Sequence, residues 1–141
     1  MRALTLIFIT FGLFANQPDR LIMPSTEANN YPFSDAVKVG NLLFMSGLVG
    51  NEESIGEDSL VAETHSIFKQ MKAVLNAYEL SLADVVKCTV FLDNVDEWGK
   101  FNSVYTQYFI KPYPARSALG ADGLALGAAV EMECIAVLPY S

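Results

Sequence analysis

The sequence predicts an α+β fold in which two helices cover one face of a mixed β-sheet. Three observations carry that prediction. With 141 residues, 52% of them hydrophobic, the chain is sized for one domain that buries a core unaided. Apolar positions recur at helical spacing from Leu60 to Tyr78, the mark of a long helix with one buried face. Residues 85–92 and 130–138 are long apolar runs rich in β-branched side chains, as central strands require.

Taken in order, the elements begin after an N-terminal segment unlike the rest. Arg2 gives a short positive start, and residues 3–15 are apolar apart from Thr5, Thr10 and Gly12. That run is too short for a membrane-spanning helix, which needs about 20 residues, so no stable membrane insertion of the mature domain is expected. It has the make-up of an export signal ending at Ala15, although Leu13 stands where a small residue is preferred. It reads equally as an N-terminal extension, and residues 1–19 are set apart from a domain over 20–141. Removal would place the mature protein in the periplasm or outside the cell; retention would leave it in the cytoplasm.

Residues 36–39 and 42–46 read as strands joined through Gly40-Asn41 in a tight hairpin. An acidic loop over 51–58 leads to a helix over 59–79 with a stripe at 60, 64, 67, 68, 71, 74, 75 and 78. Asp84 precedes the strand over 85–92. Asp93 or Asn94 then caps a second helix carrying Trp98, Phe101, Tyr105, Tyr108 and Phe109, and Pro112 and Pro114 end it. Residues 116–121 and 130–138 are the last two strands, separated by a Gly/Ala/Leu loop. The order is β-β-α-β-α-β-β.

Charge and the reactive side chains narrow the chemistry. The formal net charge is −7, which repels a phosphate backbone, and no basic stripe offsets it, so nucleic acid is not an expected partner. Two cysteines, Cys88 and Cys134, and one histidine, His65, exclude a zinc site with the usual ligand spacing. They also exclude mechanisms that need a histidine base, unless His65 supplies it. His65 flanks the helical stripe and reads as structural. Both cysteines lie in apolar strands and read as small buried hydrophobes; their pairing is left open.

The last strand sets a problem. Period two places Val130, Met132, Cys134, Ala136 and Leu138 on one side and Glu131, Glu133, Ile135 and Val137 on the other. The first set suits the helices. The second mixes acids with aliphatics, and suits either packing against another subunit or a solvated sheet face. Arg116 is the second unusual charge, alone among Pro114, Ala115, Ser117, Ala118 and Leu119. A guanidinium there can hold a carboxylate through two parallel hydrogen bonds, or form a structural salt bridge to Glu131 or Glu133.

Pro114-Ala115-Arg116-Ser117, followed by Val130-Glu131-Met132-Glu133-Cys134-Ile135-Ala136, strongly resembles the signature of the RidA-like (YjgF) family of enamine/imine deaminases. Tyr31-Pro32-Phe33-Ser34-Asp35-Ala36, Leu42 to Gly47, Asp84 to Leu92 and Phe101 to Phe109 resemble further segments of that family in the same order. The resemblance covers about residues 21–140.

It implies a chorismate-mutase-like α+β fold and a homotrimer whose sheets line a barrel-like core, with clefts between neighbouring subunits. It also implies hydrolysis of reactive 2-imino or enamine acids such as 2-aminoacrylate to 2-keto acids and ammonia, with no cofactor and no metal. By the same resemblance Arg116 binds the substrate carboxylate and Glu131 positions the attacking water. Ser46 and Gly47 lie near the substrate, Asn102 supports the cleft, and Phe33 forms an aromatic wall. Glu133 is expected to support packing. Four departures bear on this: Phe33 where the family usually has tyrosine, Asp35 at an often-glutamine position, which would add negative charge near the entrance if the site is built there, Leu126-Gly127 where leucine-proline is common, and Tyr78-Glu79 where a glycine is frequent. The alternative is a non-catalytic trimer that binds small carboxylate metabolites or protein partners.

Overall fold

The computed structural model describes residues 17–51, 54 and 59–139; the expected leader falls outside them. The described chain runs β1 (Asp19–Leu21), α1 (Pro24–Ala28), β2 (Ala36–Val39), β3 (Leu42–Met45), β4 (Leu48–Val49), α2 (Ser59–Asn76), β5 (Val85–Leu92), α3 (Trp98–Tyr108), β6 (Ala115–Gly120) and β7 (Val130–Val137). Every predicted element is present, but the expected cap Asn94 caps a short 3-10 turn over Val95–Glu97, and α3 itself starts only at Trp98. β1, α1 and β4 were not anticipated.

The strands form one sheet in the order β1-β2-β3-β7-β5-β6, with β4 also paired to β7. The β5–β6 pair is parallel and the remaining pairs are antiparallel, so the sheet is mixed as expected. Gly40 takes φ 60° in the β2–β3 turn, a conformation in which a Cβ is penalised.

β3 and β4 act as one interrupted strand on β7. Phe44 opposes Ile135 and Leu48 opposes Met132, so three residues of one strand face two of the other. Ser46 and Gly47 sit in the resulting bulge.

α2 and α3 lie on one face. Leu60, Ile67, Phe68, Met71, Val74 and Leu75 of α2 are buried against Val90 and Leu92 of β5 and Val130, Met132, Cys134 and Ala136 of β7. The set of β7 residues assigned to the helices is therefore the set that faces them. Cys88 and Cys134 are direct cross-strand partners on this face and form a disulfide, which resolves the pairing left open by the sequence.

α2 ends at Asn76, three residues before the expected stop. Glu79 donates its N–H to Asn76 O (3.1 Å) and Leu80 to Leu75 O (3.0 Å), a closing pattern that requires a left-handed residue. Glu79 supplies it at φ 58°, the turn at which the family resemblance calls for glycine.

Glu63 on α2 is fully buried, where an acid was not expected. Its Oε2 accepts the Ala129 N–H at 2.8 Å, fastening the loop before β7. His65 Nδ1 is hydrogen-bonded to the Tyr108 hydroxyl at 2.7 Å, a structural role linking α2 to α3. No described helix is long and apolar enough to cross a membrane.

Candidate active site

Arg116 enters the fold on β6 directly beside Cys88. Neighbours in register share a sheet face, so its side chain rises toward the helices. There its guanidinium carbon sits 4.6 Å from the ring centre of Tyr105, 5.3 Å from Trp98 and 5.6 Å from Phe101. These three residues recur along one side of α3, and guanidinium-on-ring stacking holds the planar group while leaving its N–H edge open. Among the described residues Arg116 forms no ion pair, and the salt bridge to Glu131 or Glu133 is not formed. Asn102 is half-buried on the same turn of α3, between the positions of Phe101 and Tyr105.

Tyr105 is nearly covered, and its hydroxyl has no hydrogen-bond partner among the described residues. Burial pushes its phenol above the ordinary tyrosine range. The Arg116 charge acts in the opposite direction, and Tyr113 adds to the rise.

Glu131 lies on the other face of the sheet, across from Phe91 on β5 and Val49 on β4. Its carboxyl packs on the bulge: a Cβ at Gly47 would overlap the Glu131 carboxyl as it lies here, so the glycine leaves room for the acid in this position. Beside it, the Ser46 hydroxyl donates to Ser34 O (2.6 Å) and the Ser46 N–H to Asp35 O (3.0 Å). These bonds tie the segment carrying Phe33 to the bulge. Phe33 stacks on Tyr31 with centroids 5.4 Å apart and is about half exposed. Glu133 lines a hollow of about 130 Å³ on this face with Lys87, Thr89 and Phe44.

The sequence-predicted residues therefore fall into two groups within one chain. Arg116 and Asn102 stand on the helix-covered side of the sheet. Glu131, Gly47, Ser46 and Phe33 gather around the bulge, and Glu131 projects from the opposite face. Asp35 is buried, with Oδ2 accepting the Met23 N–H (2.7 Å) and Oδ1 the Thr26 hydroxyl (2.8 Å), and it holds the start of α1 in place.

The sequence reading took Trp98, Phe101 and Tyr105 only as a core stripe and missed them as the seat of Arg116. Their spacing on one side of α3 was the available signal. No group of three or more His, Cys, Asp or Glu able to hold a metal occurs among the described residues.

The family model described as Endoribonuclease L-PSP matches residues 25–138. The chain belongs to this RidA/YjgF family. Among RidA/YjgF relatives, the 2-iminobutanoate/2-iminopropanoate deaminase of Dermatophagoides farinae is 36% identical over 110 residues, covering 76% of this chain and 86% of its own. The chloroplastic Reactive Intermediate Deaminase A of Arabidopsis thaliana is 36% identical over 110 residues, covering 76% of this chain and 59% of its own. Of solved RidA/YjgF structures, RidA from the Antarctic bacterium Psychrobacter superposes with a TM-score of 0.71 at 32% identity, covering 88% of this chain and 98% of that one. The yeast protein YEO7 gives 0.75 at 34% identity, covering 87% and 100%.

Proposed function

We propose that the chain is an imine/enamine deaminase that hydrolyses small 2-imino acids such as the tautomer of 2-aminoacrylate, in clefts shared by two chains of a homotrimer. The observation that carries the reading is Arg116, a guanidinium seated on three aromatic rings with no acid paired to it among the described residues. A cation desolvated in this way binds a planar carboxylate strongly. Relatives named as deaminases of iminobutanoate, iminopropanoate and reactive intermediates support the substrate class.

In the proposed reaction Arg116 holds the carboxylate of the 2-imino acid and fixes the electrophilic C2. Asn102 borders the bound acid, and Phe33, Ser46 and Gly47 of a neighbouring chain wall the cleft. Glu131 of that neighbour accepts a proton as water adds to C2, and returns it to nitrogen as the C–N bond breaks. One water is consumed, and the products are the 2-keto acid and ammonia. Subunit packing supplies the convergence that one chain lacks. The uncovered sheet face, with Val39, Leu42, Phe44 and Leu119 exposed, gives an apolar surface for that packing.

Cleavage of RNA, suggested by the family model's description, is disfavoured by the net charge of −7, since anionic surfaces repel phosphates. The test is to generate 2-iminopropionate in situ and follow its loss. Arg116→Ala and Glu131→Gln are each expected to slow enzyme-dependent loss by about 100-fold or more. Unchanged rates in both variants would sink the proposed site. Tight carboxylate binding by the unmodified protein without turnover would instead identify a non-catalytic binding protein.

A further inference from the structure

A groove of about 630 Å³ lies on the helix-bearing side, between the C-terminal half of α2, the segment leading into β5, and the segment following α3. We propose that it binds a small apolar carboxylate, an aryl or medium-chain alkyl acid, at a site separate from Arg116. Its volume falls in the range that holds drug-sized ligands. Leu80, Val85 and Phe109 form buried parts of its lining.

The charge of the groove is opposite to that of the chain. Lys72 and Lys111 line it and no described Asp or Glu does, in a sequence with 16 acidic and 9 basic residues. Neither lysine is ion-paired among the described residues. Lys72 Nζ rests 4.9 Å above the Tyr108 ring and Lys111 Nζ 5.9 Å from the Tyr113 ring centre, so both ammonium groups are held on aromatic faces with N–H donors to spare.

The Tyr108 wall is fixed in turn. Its ring stacks on Phe68 with centroids 4.0 Å apart, and its hydroxyl is bonded to His65. A preformed apolar cleft with two cationic side chains in its lining selects an anionic head on an apolar body. Inorganic phosphate has the charge and lacks the body.

The experiment titrates the full chain with decanoate, decanol and inorganic phosphate by calorimetry, and maps binding by amide chemical shifts. Decanoate is expected to bind at least about tenfold more tightly than decanol, the worth of two modest charge-assisted contacts, and to shift Ala83, Ile110 and Lys111. The double variant Lys72→Gln/Lys111→Gln, both exposed positions, removes that preference, and Arg116→Ala leaves decanoate affinity unchanged. The proposal is overturned by absence of decanoate binding, by equal affinity for decanol, by phosphate binding as tightly as decanoate, or by an unchanged preference in the double variant. Loss of decanoate binding in Arg116→Ala would assign the ligand to the other site and also overturn it.

Discussion

Two residues carry conformational or desolvation costs that substitution should relieve. Glu79 sits at φ 58° in the turn that closes α2, where any side chain with a Cβ is strained and glycine is not. Glu79→Gly is expected to raise stability by about 1 kcal/mol, read as a higher urea midpoint with an unchanged slope. Tyr105 carries a buried hydroxyl with no partner among the described residues, so Tyr105→Phe is expected to be neutral or up to ~1 kcal/mol stabilising.

The same tyrosine predicts a pH dependence. Its pKa is raised in the folded chain, chiefly by burial, so above the ordinary tyrosine value of about 10 the unfolded state loses its proton first. Stability is therefore fully present below that value and declines as the pH rises through the folded pKa. Chemical unfolding followed between pH 8 and 11 should show this decline in the parent and a shallower one in Tyr105→Phe. An equal decline in both would remove Tyr105 as the cause.

At the scale of elements, what could be read from the sequence was what repeats. The stripe from Leu60 to Leu75 and the alternation from Val130 to Ala136 recur often enough to fix both helix and strand faces, and both are buried as the pattern requires. β1 and β4, of three and two residues, carry no period and exist only because β2 and β7 offer them pairing edges. Glu63 breaks the apolar rule of its helix face because the backbone N–H of Ala129, with a longer contact from that of Val130 at the start of β7, donates to its Oε2, a contact that local pattern cannot contain.

For the proposed site, the motif around Arg116 named the candidate residues, whereas the face each residue occupies depends on register. The Cys88–Cys134 pair shows the same dependence, since cross-strand register alone brings it together. The bridge ties β5, the neighbour of the Arg116 strand, to β7, which carries Glu131, and closes a sequence separation of 46. A loop of that size constrains the unfolded chain by about 4 kcal/mol. Thermal unfolding with and without a phosphine reductant should show that loss. Equal midpoints with the thiols verified as free would mean the bridge adds no stability.

For the whole molecule, the decisive point is that Arg116 and Glu131 occupy opposite faces of one sheet. On the proposed reading the pair acts between two chains, and a closed ring of identical subunits would give each cleft an arginine from one chain and a glutamate from the next. That arrangement has a consequence which a site within one chain lacks. Arg116→Ala and Glu131→Gln are each expected to be inactive alone. Unfolded together in equal amounts and reassembled at random, they would form some clefts in which the Glu131→Gln chain supplies the arginine and the Arg116→Ala chain supplies the glutamate. Both conditions hold in about one cleft in four, so roughly a quarter of the parent activity should return. Sedimentation of the mixture would verify assembly at three times the 15.4 kDa chain mass. If the mixture assembles and no activity returns, the two residues do not act together across a subunit boundary, and the shared-cleft reading fails even if each is needed for turnover.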